Sequence, residues 1–192
     1  SLRHRAVAWS DNNLDLVVLF LALAKLGAVF ARVNPRFRPA EAAAIIRLAD
    51  PQLIVADAGR LDGARALAGE LGIPALAVDC PDNEADIASL STFAPDANVD
   101  EPARTEDDCQ VLFFTSGSTG QSKGVMLSHR TNFLRSFQGM FIDEPLRKVC
   151  MFPLFHVGSF LLALIAWQTA GEVTFVRSPT AKALLDAVAA RR

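Results

Sequence analysis

The chain has 192 residues, 51% of them hydrophobic and 21% charged, which is enough apolar material for a buried core and too few charges for a disordered chain. Its formal net charge is −2, with Lys and Arg spread along the sequence and only a basic pair at Arg191 and Arg192, so nothing marks a nucleic-acid-binding surface. Cys80, Cys109 and Cys150 lie far apart, lack CxxC spacing and cannot all pair with one another, a usage that fits a reducing cytoplasm and offers no zinc site.

Residues 5–9 read as a short strand, and Asn12 or Asn13 then caps a helix running to Gly27, in which Leu16, Leu19, Phe20 and Leu23 recur at helical spacing. The apolar run 16–24 within it falls well short of the ~20 residues needed to span a bilayer and is closed by Asp15 and Lys25. It reads as a helix buried against a sheet, and no transmembrane segment is expected. The opening Ser-Leu-Arg-His-Arg lacks the pattern of a signal peptide, and a strand so close to the first residue predicts that sequence has been removed upstream.

A second helix is expected from Pro39, with Ala42, Ile45, Ile46 and Ala49 on one face and a stop before Pro51. A strand at 52–56, a helix at 61–71 and a strand at 75–78 follow; residues 79–108 are acidic and Pro-containing and read as a surface connection with one helical turn. Beyond them come strands at 109–114 and 124–127, a helix at 129–141, a strand at 149–152, a helix at 159–169, a strand at 173–176 and a helix begun by Ser178-Pro179 that carries Leu184, Leu185 and Val188. Strands alternating with helices predict an α/β fold with a largely parallel sheet flanked by helices.

Between the strands at 109–114 and 124–127 lies Thr115-Ser116-Gly117-Ser118-Thr119-Gly120-Gln121-Ser122-Lys123-Gly124. Glycines let several backbone N–H groups converge on one anion, hydroxyls add donors, and a lysine offsets charge, so this composition suits a polyphosphate. An ordinary polar turn uses the same residue types. The Walker pattern fails, because Ser122 stands where glycine should follow Gly117, and the Rossmann fingerprint fails as well. Gly120-Gln121-Ser122-Lys123-Gly124 does fit G-x-S-x-G, the nucleophile elbow of α/β-hydrolase-like esterases, with Asp143 and His156 following in the required order. Such an elbow needs its serine where a strand enters a helix, whereas here the apolar strand ends near Thr115 and Val-Met-Leu follows the motif.

The run from Val111 through the loop to Val125-Met126-Leu127-Ser128-His129 closely resembles the signature loop of the adenylate-forming superfamily, which includes acyl-CoA synthetases, firefly luciferase and nonribosomal-peptide adenylation domains. Ser122 stands where that family usually has proline. Pro153-Leu154-Phe155-His156-Val157-Gly158 resembles the family's Pro-Leu-Phe-His segment, and Leu23-Ala24-Lys25-Leu26-Gly27-Ala28-Val29-Phe30 through Asn34-Pro35-Arg36 resembles its early helix-to-strand segment.

The resemblance implies an enzyme, most like a fatty-acid–CoA ligase, that activates a carboxylic acid with ATP and Mg²⁺ as an acyl-adenylate and passes it to coenzyme A. Thr115, Ser116, Gly117, Ser118, Thr119, Gly120 and Lys123 would hold the ATP phosphates, Thr115 would touch the magnesium ion, and Phe155, His156 and Gly158 would border the acyl substrate. The family's Tyr-Gly-x-Thr-Glu and Thr-Gly-Asp segments are not found, and the chain has no tyrosine. Residues 1–192 are therefore expected to be one incomplete AMP-binding N-terminal domain, inactive alone, with the catalytic lysine in a C-terminal domain elsewhere and apolar surface left open to homo-oligomer contacts. A non-catalytic nucleotide-binding remnant and an interaction module are the alternatives outside catalysis.

Overall fold

The computed structural model describes residues 4–80, 82–83, 86–90, 103–115, 122–142, 144–150, 152–176 and 180–190. Its first half alternates strand and helix: β1 (Arg5–Trp9), α1 (Leu14–Lys25), β2 (Val29–Arg32), α2 (Pro39–Ala49), β3 (Leu53–Ala56), α3 (Leu61–Leu71) and β4 (Ala75–Ala77). Local chemistry sets the boundaries. The Asn13 side chain accepts from Leu16 N at 3.0 Å and caps α1, and Gly27 at φ 65° turns the chain into β2. Pro39 opens α2 while the Glu41 carboxylate accepts from Arg38 N at 2.9 Å, and Asp50 closes it in the left-handed region ahead of Pro51. After the single turn α4 (Ile87–Leu90), β5 (Cys109–Thr115) enters the same sheet and β6 (Lys123–Ser128) folds back on it.

The sheet order is β4-β3-β1-β2-β5-β6, with β1 to β5 parallel and only the edge strand β6 antiparallel. The expected α/β architecture is therefore present. Alternation along the strands sends Val7, Trp9, Ala31, Val33 and Ile54 to one face, under α2 and α3, and Ala8, Phe30, Val55, Val111 and Phe113 to the other. On that second face α1 meets a later helix through Phe20 and Phe160, whose ring centroids are 5.0 Å apart, and Phe160 also meets Phe113 at 5.6 Å. Burying each such ring contributes about 1.5–3 kcal/mol.

The remainder comprises α5 (His129–Ser136), a 3₁₀ helix (Phe137–Phe141), β7 (Arg147–Cys150), α6 (Val157–Gln168), β8 (Glu172–Phe175) and α7 (Ala181–Ala189), with β7 and β8 forming a separate parallel pair. Gly171 is required between α6 and β8, because a Cβ there would lie 2.2 Å from Leu146 O.

Three expectations need adjustment. The helix predicted over 129–141 tightens to 3₁₀ after Ser136, and the strand expected at 149–152 is shifted to Arg147–Cys150. The α1 helix is buried on one side only: Leu16, Val17, Phe20 and Leu23 pack inward while Leu14, Val18 and Leu21 face out, since a helix lying on a sheet presents one stripe to it.

Candidate functional site

The carboxyl ends of β1, β2, β3 and β5 share one edge of the parallel sheet, the edge where open α/β sheets place their ligands. A charged knot ties the loops there. Asp57, just beyond β3, accepts from Asp11 N at 2.9 Å and from Arg60 Nη1 at 2.6 Å, and Arg60 Nε donates to Pro35 O at 2.9 Å.

At the end of β5, Thr115 stands directly opposite Lys123, the first residue of β6. Ser116, Gly117, Ser118, Thr119, Gly120 and Gln121 lie outside the described residues, but the two ends of their loop are thus joined as an antiparallel pair. Opposed residues in such a pair put their side chains on the same face. Thr115 continues the row of Val111 and Phe113, so this face is the one covered by α1 and α6. Both Thr115 and Lys123 are exposed, and Lys123 forms no ion pair with a described carboxylate. One hydroxyl beside one free ammonium suits a polyphosphate that brings its own magnesium ion, because Mg²⁺ keeps most of its water and phosphate oxygens and takes few protein ligands. The residues present fit that pair.

Pro153 to His156 form a turn on the same face. His156 N donates to Pro153 O at 3.0 Å, His156 is the N-terminal cap residue of α6, and Phe160 N donates back to His156 O at 3.1 Å. Leu154 is buried with Phe113 and Phe160, which draws this turn towards the end of β5. The His156 ring is exposed and lies 4.7 Å from the half-buried Phe155 ring. Gly158, exposed in the first turn of α6, leaves open space where a side chain would stand.

The esterase geometry is not met. Ser122 precedes an antiparallel strand rather than a helix, so it occupies no strand-to-helix elbow; Asp143 lies outside the described residues.

Two residues went unread in the sequence. Asn12, one of two candidate helix caps, leaves that task to Asn13; its Nδ2 donates to Phe152 O at 3.3 Å and its Oδ1 accepts from Leu154 N at 2.9 Å. Arg32, a lone cation in the apolar run 28–33, is 2% exposed, and its Nη2 donates to Ser10 O at 3.1 Å. Burial lowers its pKa to about 10, although Asp11 and Asp57 pull the other way. The charge in an otherwise apolar stretch was the available signal for Arg32; Asn12 had none.

A sequence model of the family described as AMP-binding enzyme matches residues 3–192. The chain belongs to that family of adenylate-forming enzymes. Among curated relatives, it is 32% identical over 182 residues to 4-coumarate–CoA ligase 3 of Oryza sativa subsp. japonica, covering 88% of this chain and 32% of that protein. It is 33% identical over 132 residues to the fatty acid–[acyl-carrier-protein] ligase MmaC of Mycobacterium marinum, covering 67% of this chain and 24% of that one. Among solved structures, ATP-bound MatB from Rhodopseudomonas palustris superposes with a TM-score of 0.82 at 26% identity, covering 98% of this AMP-binding chain and 38% of MatB. The chain thus spans about a third of the length of the curated relatives it matches. No described helix is long and apolar enough to cross a membrane.

Proposed function

We propose that this chain works within an ATP-dependent acid–thiol ligase, an acyl-CoA synthetase, as the part of the large N-terminal domain that grips the ATP polyphosphate and borders the acid. One observation carries this reading: in an AMP-binding chain, both ends of the Gly/Ser/Thr loop and the turn bearing Phe155 and His156 lie on one face at the carboxyl edge of the sheet. Activation joins the acid's carboxylate oxygen to the α-phosphorus of ATP and releases pyrophosphate. The thiol then displaces AMP from the acyl-adenylate, giving the thioester, with its proton lost to solvent.

The cost of that first step is electrostatic, since a carboxylate must approach three phosphates. Thr115, Ser116, Gly117, Ser118, Thr119 and Gly120 supply hydroxyl and backbone donors to the β- and γ-phosphates, and Lys123 offsets the charge of the departing pyrophosphate. A bound magnesium ion would neutralise phosphate charge, with Thr115 as its protein contact. Phe155, His156 and Gly158 flank the acid, the open space at Gly158 leaving room for its chain. No residue of this chain is assigned the catalytic lysine's role, and residues 1–192 alone are expected to bind ATP weakly and turn nothing over.

We take the acid to be fatty and the acceptor to be coenzyme A. The kinship with 4-coumarate–CoA ligases and with a fatty acid–carrier-protein ligase names the competitors, an arylpropenoic acid and a carrier-protein thiol. The cytoplasm is the proposed compartment: three free thiols, all pushed upward in pKa chiefly by burial, suit reducing surroundings. Exposed apolar rings on the 3₁₀ helix support self-association as a homo-oligomer. The test is pyrophosphate exchange by the complete ligase with fatty and hydroxycinnamic acids, followed by thioester formation on coenzyme A or carrier protein. Exchange that depends on none of the acids would refute the reading.

A further inference from the structure

The Pro153 to His156 turn is held from two sides. Towards α6 it is continuous with the helix through Phe160 N and His156 O. Towards the sheet its backbone is gripped by Asn12, which donates to Phe152 O at 3.3 Å and accepts from Leu154 N at 2.9 Å, across 140 residues of sequence; the Cys150 thiol also donates to Phe152 O at 3.4 Å. This grip requires one orientation of the Asn12 amide, because the flipped amide would turn its NH₂ against the Leu154 N–H.

Arg32 selects that orientation. Its Nη2, fixed on Ser10 O at 3.1 Å, approaches the same Asn12 Oδ1 at 3.5 Å, where a cationic donor favours the oxygen and repels the NH₂ group. Arg32 does this at a disadvantage to the fold. It is fully buried, its Nε and Nη1 have no hydrogen-bond partner among the described residues, and neither Asp11 nor Asp57 comes within salt-bridge distance of it. Even a buried ion pair is often replaced by well-packed apolar side chains of similar volume with no loss of stability, and Arg32 lacks a carboxylate to offset its desolvation. Its same-face neighbour in the strand, Phe30, shows what β2 carries where packing alone matters.

We infer that Asn12 and Arg32 are positioning residues for the carboxylic-acid substrate: Arg32 orients the Asn12 amide, and Asn12 holds the backbone of residues 152–154 that presents Phe155 and His156 to the acid. This rests on the reading of Phe155 and His156 given above. The hydrogen bonds of the two residues end on Ser10, Phe152, Leu154 and each other, and none reaches Thr115 or Lys123, so their effect is assigned to the acid and not to the nucleotide.

The experiment compares Arg32→Met, Arg32→Lys and Asn12→Ala with wild type in the complete ligase, measuring pyrophosphate exchange with acid and ATP varied in turn, urea unfolding, and hydrogen exchange at the Leu154 amide. For Arg32→Met the KM for the acid should rise about tenfold and the Leu154 amide should exchange about tenfold faster, the energy of one lost hydrogen bond. The KM for ATP should not move, and the unfolding midpoint should stay or rise. Arg32→Lys should recover part of the acid affinity, and Asn12→Ala should match or exceed Arg32→Met. An active Arg32→Met enzyme with unchanged acid KM overturns this inference alone. So does a parallel rise of both KM values with a lowered midpoint, the mark of general loosening. A wild type with no acid-dependent exchange overturns the functional reading and this role with it.

Discussion

The strands from β1 to β4 and the segment beyond β5 treat their apolar residues differently. In the first region Val7, Val33, Ile46, Ile54 and Ala64 are fully enclosed between the sheet and helices α2 and α3, contributed by neighbouring stretches of chain. In the second, Met126 on the edge strand and Phe141 on the 3₁₀ helix are 73% and 76% exposed, and Phe133, Phe137 and Phe141 stack edge to face mainly on one another. In the first region α2 and α3 cover one face of the sheet, while on the other α1 buries Leu16, Phe20 and Leu23 and leaves Leu14, Val18 and Leu21 exposed. The region that carries the loop and the Phe155 and His156 turn leaves such residues exposed on its edge strand and 3₁₀ helix. The two regions meet at Phe160 of α6, which touches Phe20 of α1 and Phe113 of β5.

Phe160→Ala should be the severest break. Emptying the ring that joins both regions costs about 3–5 kcal/mol, so urea unfolding should occur far earlier or the chain should fail to fold. A loss below about 1 kcal/mol would mean that the two regions are stable independently and that the contrast between them is not bridged at this ring.

Lys123→Ala separates chemistry from folding within the second region. Its side chain is exposed and pairs with no described carboxylate, so the unfolding midpoint should not change, while pyrophosphate exchange in the complete ligase should fall on the order of 10²-fold. Unchanged exchange in a well-folded variant would remove Lys123 from the site.

A smaller effect sharpens the contrast at the first turn of α5. Burial, then the Arg104 guanidinium, lowers the pKa of His129 below its ordinary 6.5 against an opposing pull from Asp108, and its Nε2 is buried without a partner among the described residues. The folded state therefore takes up the proton less readily than the unfolded chain. Stability is full above 6.5 and is lost as pH falls from there through the lower folded value. His129→Gln should flatten this fall in urea midpoint between neutral pH and about pH 5. A slope as steep as wild type would assign the pH response to other groups.

The smallest change expected is at Ser122. As a loop position leading into β6, and not a nucleophile, it should accept Ser122→Pro within about 1 kcal/mol and with exchange activity intact. Covalent labelling of Ser122 by a serine-directed phosphonate would instead revive the esterase reading.

What the sequence determined by itself was local. Pro39 and Pro51 bracket α2 because one presets a helical φ and the other cannot continue a helix, and Ala42, Ile45, Ile46 and Ala49 announce its buried face by spacing alone. The composition of the loop was legible for the same reason, since Gly, Ser, Thr and Lys stand there as neighbours in the chain. Strand order was not: β1 lies between β3 and β2, and β6 runs against the rest, because pairing partners are chosen by packing between segments. Nor was the role of Asn12, which read as a helix cap equivalent to Asn13 until its amide was seen to bond to Phe152 and Leu154. Nor was the burial of Arg32, which the tertiary structure alone decided. Contacts made across more than a hundred residues depend on how whole elements stack, and no window of sequence contains both partners.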